Sequence, residues 1–130
     1  MRSINPANRA AELIDQLVLG HRALAKAQAR CAALMMEFAE TRSMCDRKVI
    51  ADREAAGVEA RFKAGEFAGT EISMALKESK YSVRNTMVVA RRLRADTPDA
   101  WDAWRAGDIR GVGKVRGAVG WRHFSWSAAV

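Results

Sequence analysis

The sequence predicts an all-α fold, and three observations support that prediction. Apolar residues make up 49% of the chain, alanine recurs throughout, and there are only two prolines. Few segments alternate with the period of a strand, whereas apolar residues three or four apart are common. A chain of 130 residues can bury one modest core but not two independent ones. We therefore expect one helical domain over residues 1–120 and a loosely ordered tail over residues 121–130.

The N-terminal half is expected to form a long helical seam over residues 1–64. Asn5 followed by Pro6 is typical of a helix start, because asparagine caps free amides and proline suits the first turn. Beyond it, apolar residues follow the 4-3 spacing of packed long helices. The seam has one helix, or two with a break near Gly20 or residues 40–46, and it packs inside a bundle or forms a homodimer. Its members are Ala10, Ile14, Leu17, His21, Leu24, Gln28, Cys31, Met35, Phe38, Arg42, Cys45 and Val49.

Burial in this seam is the expectation for Leu24 and for both cysteines. Cys31 and Cys45 lack the C-x-x-C spacing of zinc and redox sites. On one straight helix they lie ~21 Å apart, which is too far for a disulfide. We interpret them as buried thiols.

Glycines and caps divide the second half into shorter elements. We expect a connection around Gly65 to Gly69, because glycine weakens a helix interior. A helix over residues 70–78 and a second over residues 82–95 then form a helix-turn-helix-like unit over residues 70–95. Pro98 opens a further short helix over residues 98–107, which ends at Gly107.

The two helices of this unit carry the pattern of a helix-turn-helix. Ile72, Ala75 and Leu76 are expected to form the buried face of the first helix. Val83 and Met87 anchor the second helix, which Ser79 and Ser82 can cap. Two residues depart from the usual pattern, since Lys77 stands where glycine is common and Glu78 where a core aliphatic is expected. The residues predicted to point outward are Lys80, Tyr81, Arg84, Asn85 and Val88.

The outward residues have the chemistry of DNA contacts. Arginine and asparagine make paired hydrogen bonds with guanine and adenine, and basic side chains neutralise phosphates. The predicted base-edge contacts are Lys80, Tyr81, Arg84 and Asn85. The predicted phosphate contacts are Lys77, Arg91 and Arg92, together with Arg110, Lys114 and Arg116 of a glycine-rich loop. The alternative is a pair of packed helices with an ordinary solvated basic face.

The distribution of charge agrees with an acidic partner for the second half. The net charge is +7, and Lys77 to Val130 carries 11 Lys/Arg against 5 Asp/Glu, whereas Met1 to Leu76 is nearly balanced. The first residues lack the apolar core of a signal peptide, and no stretch reaches the ~18 apolar residues of a membrane span. We expect a cytoplasmic protein with no membrane and no small-molecule substrate.

A family resemblance rests on three groups of residues between residues 66 and 119. They are Glu71, Ile72, Ala75 and Leu76; Ala90, Arg91 and Leu93; and Pro98, Gly107 and Ile109. With the alanine-rich N-terminal helix they resemble the all-helical domain of unknown function that precedes HNH endonuclease modules in actinobacterial and phage repeat-family proteins. The resemblance covers roughly residues 10–119. It implies an all-α fold in a DNA-related setting of phages or mobile elements, and it assigns no functional residues.

The sequence offers no candidate for catalysis. An HNH nuclease needs a metal and a positioned general base, yet His21 and His123 are the only histidines and no ββα segment follows Val119. Asp96 and Asp99, or Glu37 and Glu40, are interpreted as solvated surface pairs. No phosphate-binding loop motif is present. We expect no enzyme activity, metal or cofactor.

The tryptophans fall into two classes. Trp101 and Trp104 are three residues apart on one helical face, which favours core packing. Trp121, Phe124 and Trp126 lie in the tail, where docking on the bundle, contact with a partner and stacking on bases stay open. The sequence as a whole favours a small non-catalytic DNA-binding protein. The alternatives are a helical protein–protein interaction module and a catalytically dead remnant of an HNH endonuclease.

Overall fold

A computed structural model describes residues 5–108, and within that range the chain forms four α-helices and no strand. The helices are α1 (Pro6–Ala55), α2 (Ala68–Leu76), α3 (Lys80–Asp96) and α4 (Pro98–Arg105). The predicted all-α fold with a long N-terminal helix is confirmed.

Helix α1 is one continuous helix, about 75 Å long at 1.5 Å per residue. The Asn5 side chain accepts a hydrogen bond from the Ala7 amide at 3.0 Å, and Pro6 occupies the first turn, as predicted. Gly20 does not interrupt the helix. The helix ends where Gly57 takes a φ of +74° and the Val58 amide donates to the Arg53 carbonyl.

The buried face of α1 is shifted by one residue from the predicted seam. The buried residues are Ala25, Ala29, Ala32, Met35, Met36 and Ala39. The four alanines among them allow neighbouring helices to come close. Leu24 is 49% exposed and both cysteines are exposed, so their predicted burial was wrong. Every residue from Pro6 to Leu24 is exposed.

The connection after α1 is longer and starts earlier than predicted. Residues 56–67 are non-helical, so the predicted helical seam to residue 64 was wrong, and Gly69 lies inside α2. The Gly65 amide donates to the Asp46 carboxylate at 2.9 Å, and the Arg53 guanidinium lies over the Phe62 ring. These contacts hold the connection against the end of α1.

The boundaries of α2, α3 and α4 fall within about two residues of the predicted ones. In α2, Ile72 is buried as expected. Ala75 and Leu76 are exposed, so their assignment to the buried face was wrong; Ala68 takes that role from the start of the helix. The short α2 turns these two C-terminal side chains away from α1 and α3.

The core consists of two adjoining clusters along α1. In one, Trp101 and Trp104 of α4 meet edge to face with ring centroids 5.7 Å apart, beside the alanines of α1 and Leu93 of α3. In the other, Ile72 of α2 and Val83 of α3 pack on Met35 and its neighbours. The predicted core role of both tryptophans is confirmed, and α3 contributes to both clusters.

Arg42, a polar member of the predicted seam, connects α1 to α2. Its guanidinium donates to the Glu71 carboxylate at 2.8 Å and lies 5.6 Å from the centre of the Phe38 ring. Both partners of this ion pair are half-buried. The charge that interrupts the apolar pattern is therefore paired with a charge on the neighbouring helix.

None of the four helices between residues 5 and 108 carries an apolar stretch of the length that a bilayer requires.

Candidate nucleic-acid interface

The turn between α2 and α3 is built from three residues. Lys77 ends α2 with a φ of +55°, and the Glu78 amide donates to the Ser73 carbonyl. The Ser73 hydroxyl in turn donates to the Glu78 carbonyl. Ser79 then caps α3, because its hydroxyl oxygen accepts from the Ser82 amide at 3.0 Å. The start of α3 is thus held by hydrogen bonds on both sides of the turn.

One face of α3 is buried against the other helices. Val83 is fully buried. Thr86 is also buried, and its hydroxyl donates a hydrogen bond to the Ser82 carbonyl at 3.0 Å. The buried residues of α3 are Val83, Thr86, Met87, Val89, Ala90 and Leu93. Because these residues contact elements on several sides, α3 has a fixed orientation and presents a defined opposite face to solvent.

The opposite face of α3 is basic. Lys80, Arg84 and Arg91 follow one another at helical spacing, so their Cα atoms lie on one line along the helix. Tyr81 and Arg92 lie about a quarter turn from this line, on its side away from the core. From Lys80 to Arg92 the face extends ~18 Å along the helix axis. No acidic residue occurs in α3 before Asp96, its last residue. We call Lys80, Tyr81, Arg84, Arg91 and Arg92 the basic face.

Intramolecular ion pairs leave the basic face free. Arg94, one turn further along α3, donates to the Glu40 carboxylate of α1 at 3.3 Å. Among residues 5–108, no ion pair involves a residue of the basic face. Arg94 is therefore engaged within the protein, whereas the four basic side chains of that face are available to a partner.

The structure brings most of the predicted DNA contacts together. Lys80, Tyr81 and Arg84 are exposed at the start of α3, and Tyr81 is 68% exposed. Asn85 is half-buried and makes an interaction within the protein, so it is less accessible than its neighbours. The predicted phosphate contacts Lys77, Arg91 and Arg92 are exposed.

Some features of this surface were not predicted, and others lie outside the described residues. The pairing of Arg94 with Glu40 joins residues far apart in sequence, and no local pattern could have revealed it. The predicted contacts of the glycine-rich loop and the tail aromatics fall outside residues 5–108. Those residues are Arg110, Lys114, Arg116, Trp121, Phe124 and Trp126.

The carboxylates considered for catalysis lie on the surface. Glu40, Asp96 and Asp99 are exposed, and Glu40 is paired with Arg94. Within residues 5–108 no group of three or more His, Cys, Asp or Glu side chains is arranged to hold a metal ion.

Comparisons of the chain with protein-family models, curated proteins and solved structures find no match. The resemblance to the helical domain that accompanies HNH endonucleases therefore stays a prediction.

Proposed function

We propose that this protein is a non-catalytic DNA-binding protein that inserts α3 into the major groove. The basic face of α3 is the observation that supports this proposal. It combines four basic side chains that form no ion pair with residues 5–108 and a tyrosine, on a helix whose other face is held by the core. A surface of this kind attracts the phosphates of DNA and offers donors to base edges.

The dimensions of α3 suit this role. A helix with its side chains is ~10–12 Å across, and the major groove is ~12 Å wide. In helix-turn-helix proteins the start of the second helix contacts the bases. Lys80, Tyr81 and Arg84 occupy that position here, next to the capped turn. Arg91 and Arg92 lie ~11–12 Å beyond Arg84 along the helix axis, where a helix bound in the groove approaches the DNA backbone.

A protein partner is the second candidate, and two exposed side chains favour it. Tyr81 and Val88 lie among the arginines of α3, and tyrosine and arginine are both enriched at protein interfaces. An acidic helical partner would suit the same face. The salt dependence of DNA affinity separates the two candidates, because each phosphate contact contributes to the slope of log K against log salt.

The first experiment measures DNA affinity across salt concentrations for Arg92→Ala. Loss of one phosphate contact should weaken binding to all duplexes alike and reduce the slope of log K against log salt by roughly one unit. Lys48→Ala is the matched control, because it removes one exposed positive charge from α1. Equal effects of the two substitutions would show that overall charge, and not α3, governs binding.

The second experiment tests base contacts with Arg84→Ala. On a duplex selected from a random pool, the variant should bind about 10–100-fold more weakly, since a paired arginine–guanine contact contributes ~1–3 kcal/mol. Binding to random duplex should change much less. Circular dichroism must show parent helical content. An Arg84→Ala protein that binds both duplexes as the parent does would reject insertion of α3 into the groove.

A further inference from the structure

The first 19 residues of α1 extend beyond the packed core of the described residues, which approaches them at their end, where Gly107 lies close to the carbonyl oxygen of Arg22. Every residue from Pro6 to Leu24 is exposed, and the core begins at Ala25. This overhang is ~28 Å long. In proteins most of the stability of a helix comes from the packing of an amphipathic face. Gly20, Ile14 and Val18 lower the intrinsic helix propensity of the overhang further.

The overhang has an apolar side of its own. Its large aliphatic residues are 43–66% exposed, and all but one lie within an arc of about 140° around the helix. We call these residues the N-terminal stripe: Leu13, Ile14, Leu17, Val18 and Leu24. The exception is Leu19, which is 65% exposed on the opposite side.

The spacing of the stripe is that of a two-helix seam. Ala10, Ile14, Leu17, His21 and Leu24 alternate steps of four and three residues, which is the heptad pattern by which like helices interdigitate. Because the core of α1 uses a neighbouring set of positions from Ala25 onward, no helix between residues 5 and 108 covers these seam positions.

Charge does not oppose self-association along the stripe. The charged residues of the overhang are Arg9, Glu12, Asp15 and Arg22, and helical geometry places all four at least a quarter turn from the centre of the stripe. The positions beside the seam are held by residues such as Ala11, Gly20 and Val18. Two copies can therefore approach without placing like charges opposite each other.

We infer that the N-terminal stripe binds the same stripe of a second copy of this chain. An antiparallel overlap of two overhangs places the two helical bundles at opposite ends of the pair, and Ile14 of one copy then lies opposite Leu17 of the other. The contact is short, about two and a half heptads, so the dimer dissociates on dilution. This inference does not depend on DNA binding, because it is measured without DNA.

The test is sedimentation of the full chain over a wide range of concentrations, with two leucine substitutions. The parent should shift from 14.3 kDa toward twice that mass as concentration rises. Leu17→Glu should weaken self-association at least 100-fold, because it places a charge in the seam of each copy. Leu19→Glu introduces the same charge on the opposite side and should associate as the parent does. Both leucines are about two-thirds exposed, so both variants should keep parent helical content.

A parent protein that stays monomeric at all concentrations would overturn the inference. So would equal association of the Leu17→Glu and Leu19→Glu variants. A monomeric parent whose tryptophan emission shifts in Leu17→Glu but not in Leu19→Glu would indicate that residues 109–130 of the same chain cover the stripe, which also contradicts binding of a second copy.

Discussion

A single left-handed residue, Lys77, shapes the start of the proposed DNA-binding helix. Three helices end in the same way, with an amide that donates to the carbonyl five residues earlier after a residue of positive φ. After α1 and α4 that residue is Gly57 or Gly107, whereas after α2 it is Lys77. Positive φ is unfavourable for a residue with a Cβ, so the turn before α3 is the strained one of the three.

Lys77→Gly should therefore stabilise the protein by up to about 1 kcal/mol, because relief of the left-handed strain exceeds the larger entropy that glycine loses on folding. The free energy of unfolding in urea measures this effect. Lys77→Ala is the control, because it removes the same charge but keeps the Cβ. If the glycine variant is no more stable than the alanine variant, the strain assigned to Lys77 is absent.

At the scale of elements, α4 ends in direct contact with α1. A Cβ on Gly107 would lie 2.8 Å from the carbonyl oxygen of Arg22 and 3.0 Å from Cγ of Lys26. These distances are too short for any other residue. The end of α4 is thus held against α1 where the overhang begins.

Two alanine substitutions separate this contact from backbone strain. Gly57→Ala meets nothing within 4 Å, so it should destabilise only through its positive φ, by ~1–2 kcal/mol. Gly107→Ala has the same φ problem and also forces α4 away from α1, so it should destabilise by at least ~1 kcal/mol more. Urea denaturation of both variants measures the difference. Equal losses would mean that α4 and α1 are not in contact at Gly107.

Local signals predicted the helix boundaries well. Asn5, Ser79 and Pro98 start helices through capping or a preset φ, and Gly107 ends one, so each acts within a few residues of itself. The early end of α1 was missed because Gly57, the glycine that ends the helix, was not distinguished in the sequence from Gly65 and Gly69.

The buried face of α1 could not be predicted from its own sequence. The helix carries two stripes of similar period, one of large aliphatic residues and one mostly of alanine. The stripe of larger residues led to the prediction that Leu24 and Cys31 are buried. The structure buries Ala25, Ala29 and Ala32, because the tryptophans of α4 and the aliphatic residues of α3 fill the space above small side chains. The choice depends on the partner helices, which no local pattern contains.

The outward face of α3 was predictable because its two sides differ strongly in polarity. Val83 and Met87 set the buried side, and the basic residues follow on the other. The pairing of Arg94 with Glu40 and the half-burial of Asn85 depend on neighbouring helices and were not predictable.

At the scale of the whole molecule, the net positive charge is concentrated in α3 and in residues 109–130. Helix α1 is nearly balanced, with eight Lys/Arg and seven Asp/Glu, whereas α3 has five against one. Residues 109–130 carry four Lys/Arg and no Asp/Glu. A dimer formed through the N-terminal stripes would present two basic faces, and linked binding sites raise the apparent affinity for one DNA molecule.

The most direct test of the account is nuclear magnetic resonance mapping of the backbone amides during titration with a 20-base-pair duplex. If α3 binds DNA, the largest shifts fall on the turn and the basic face, from Lys77 to Arg92, and they diminish with added salt. The amides of α1 near Lys48 should hardly change. Shifts confined to residues 109–130, or to the N-terminal stripe, with α3 unaffected, would contradict the proposal that α3 binds DNA.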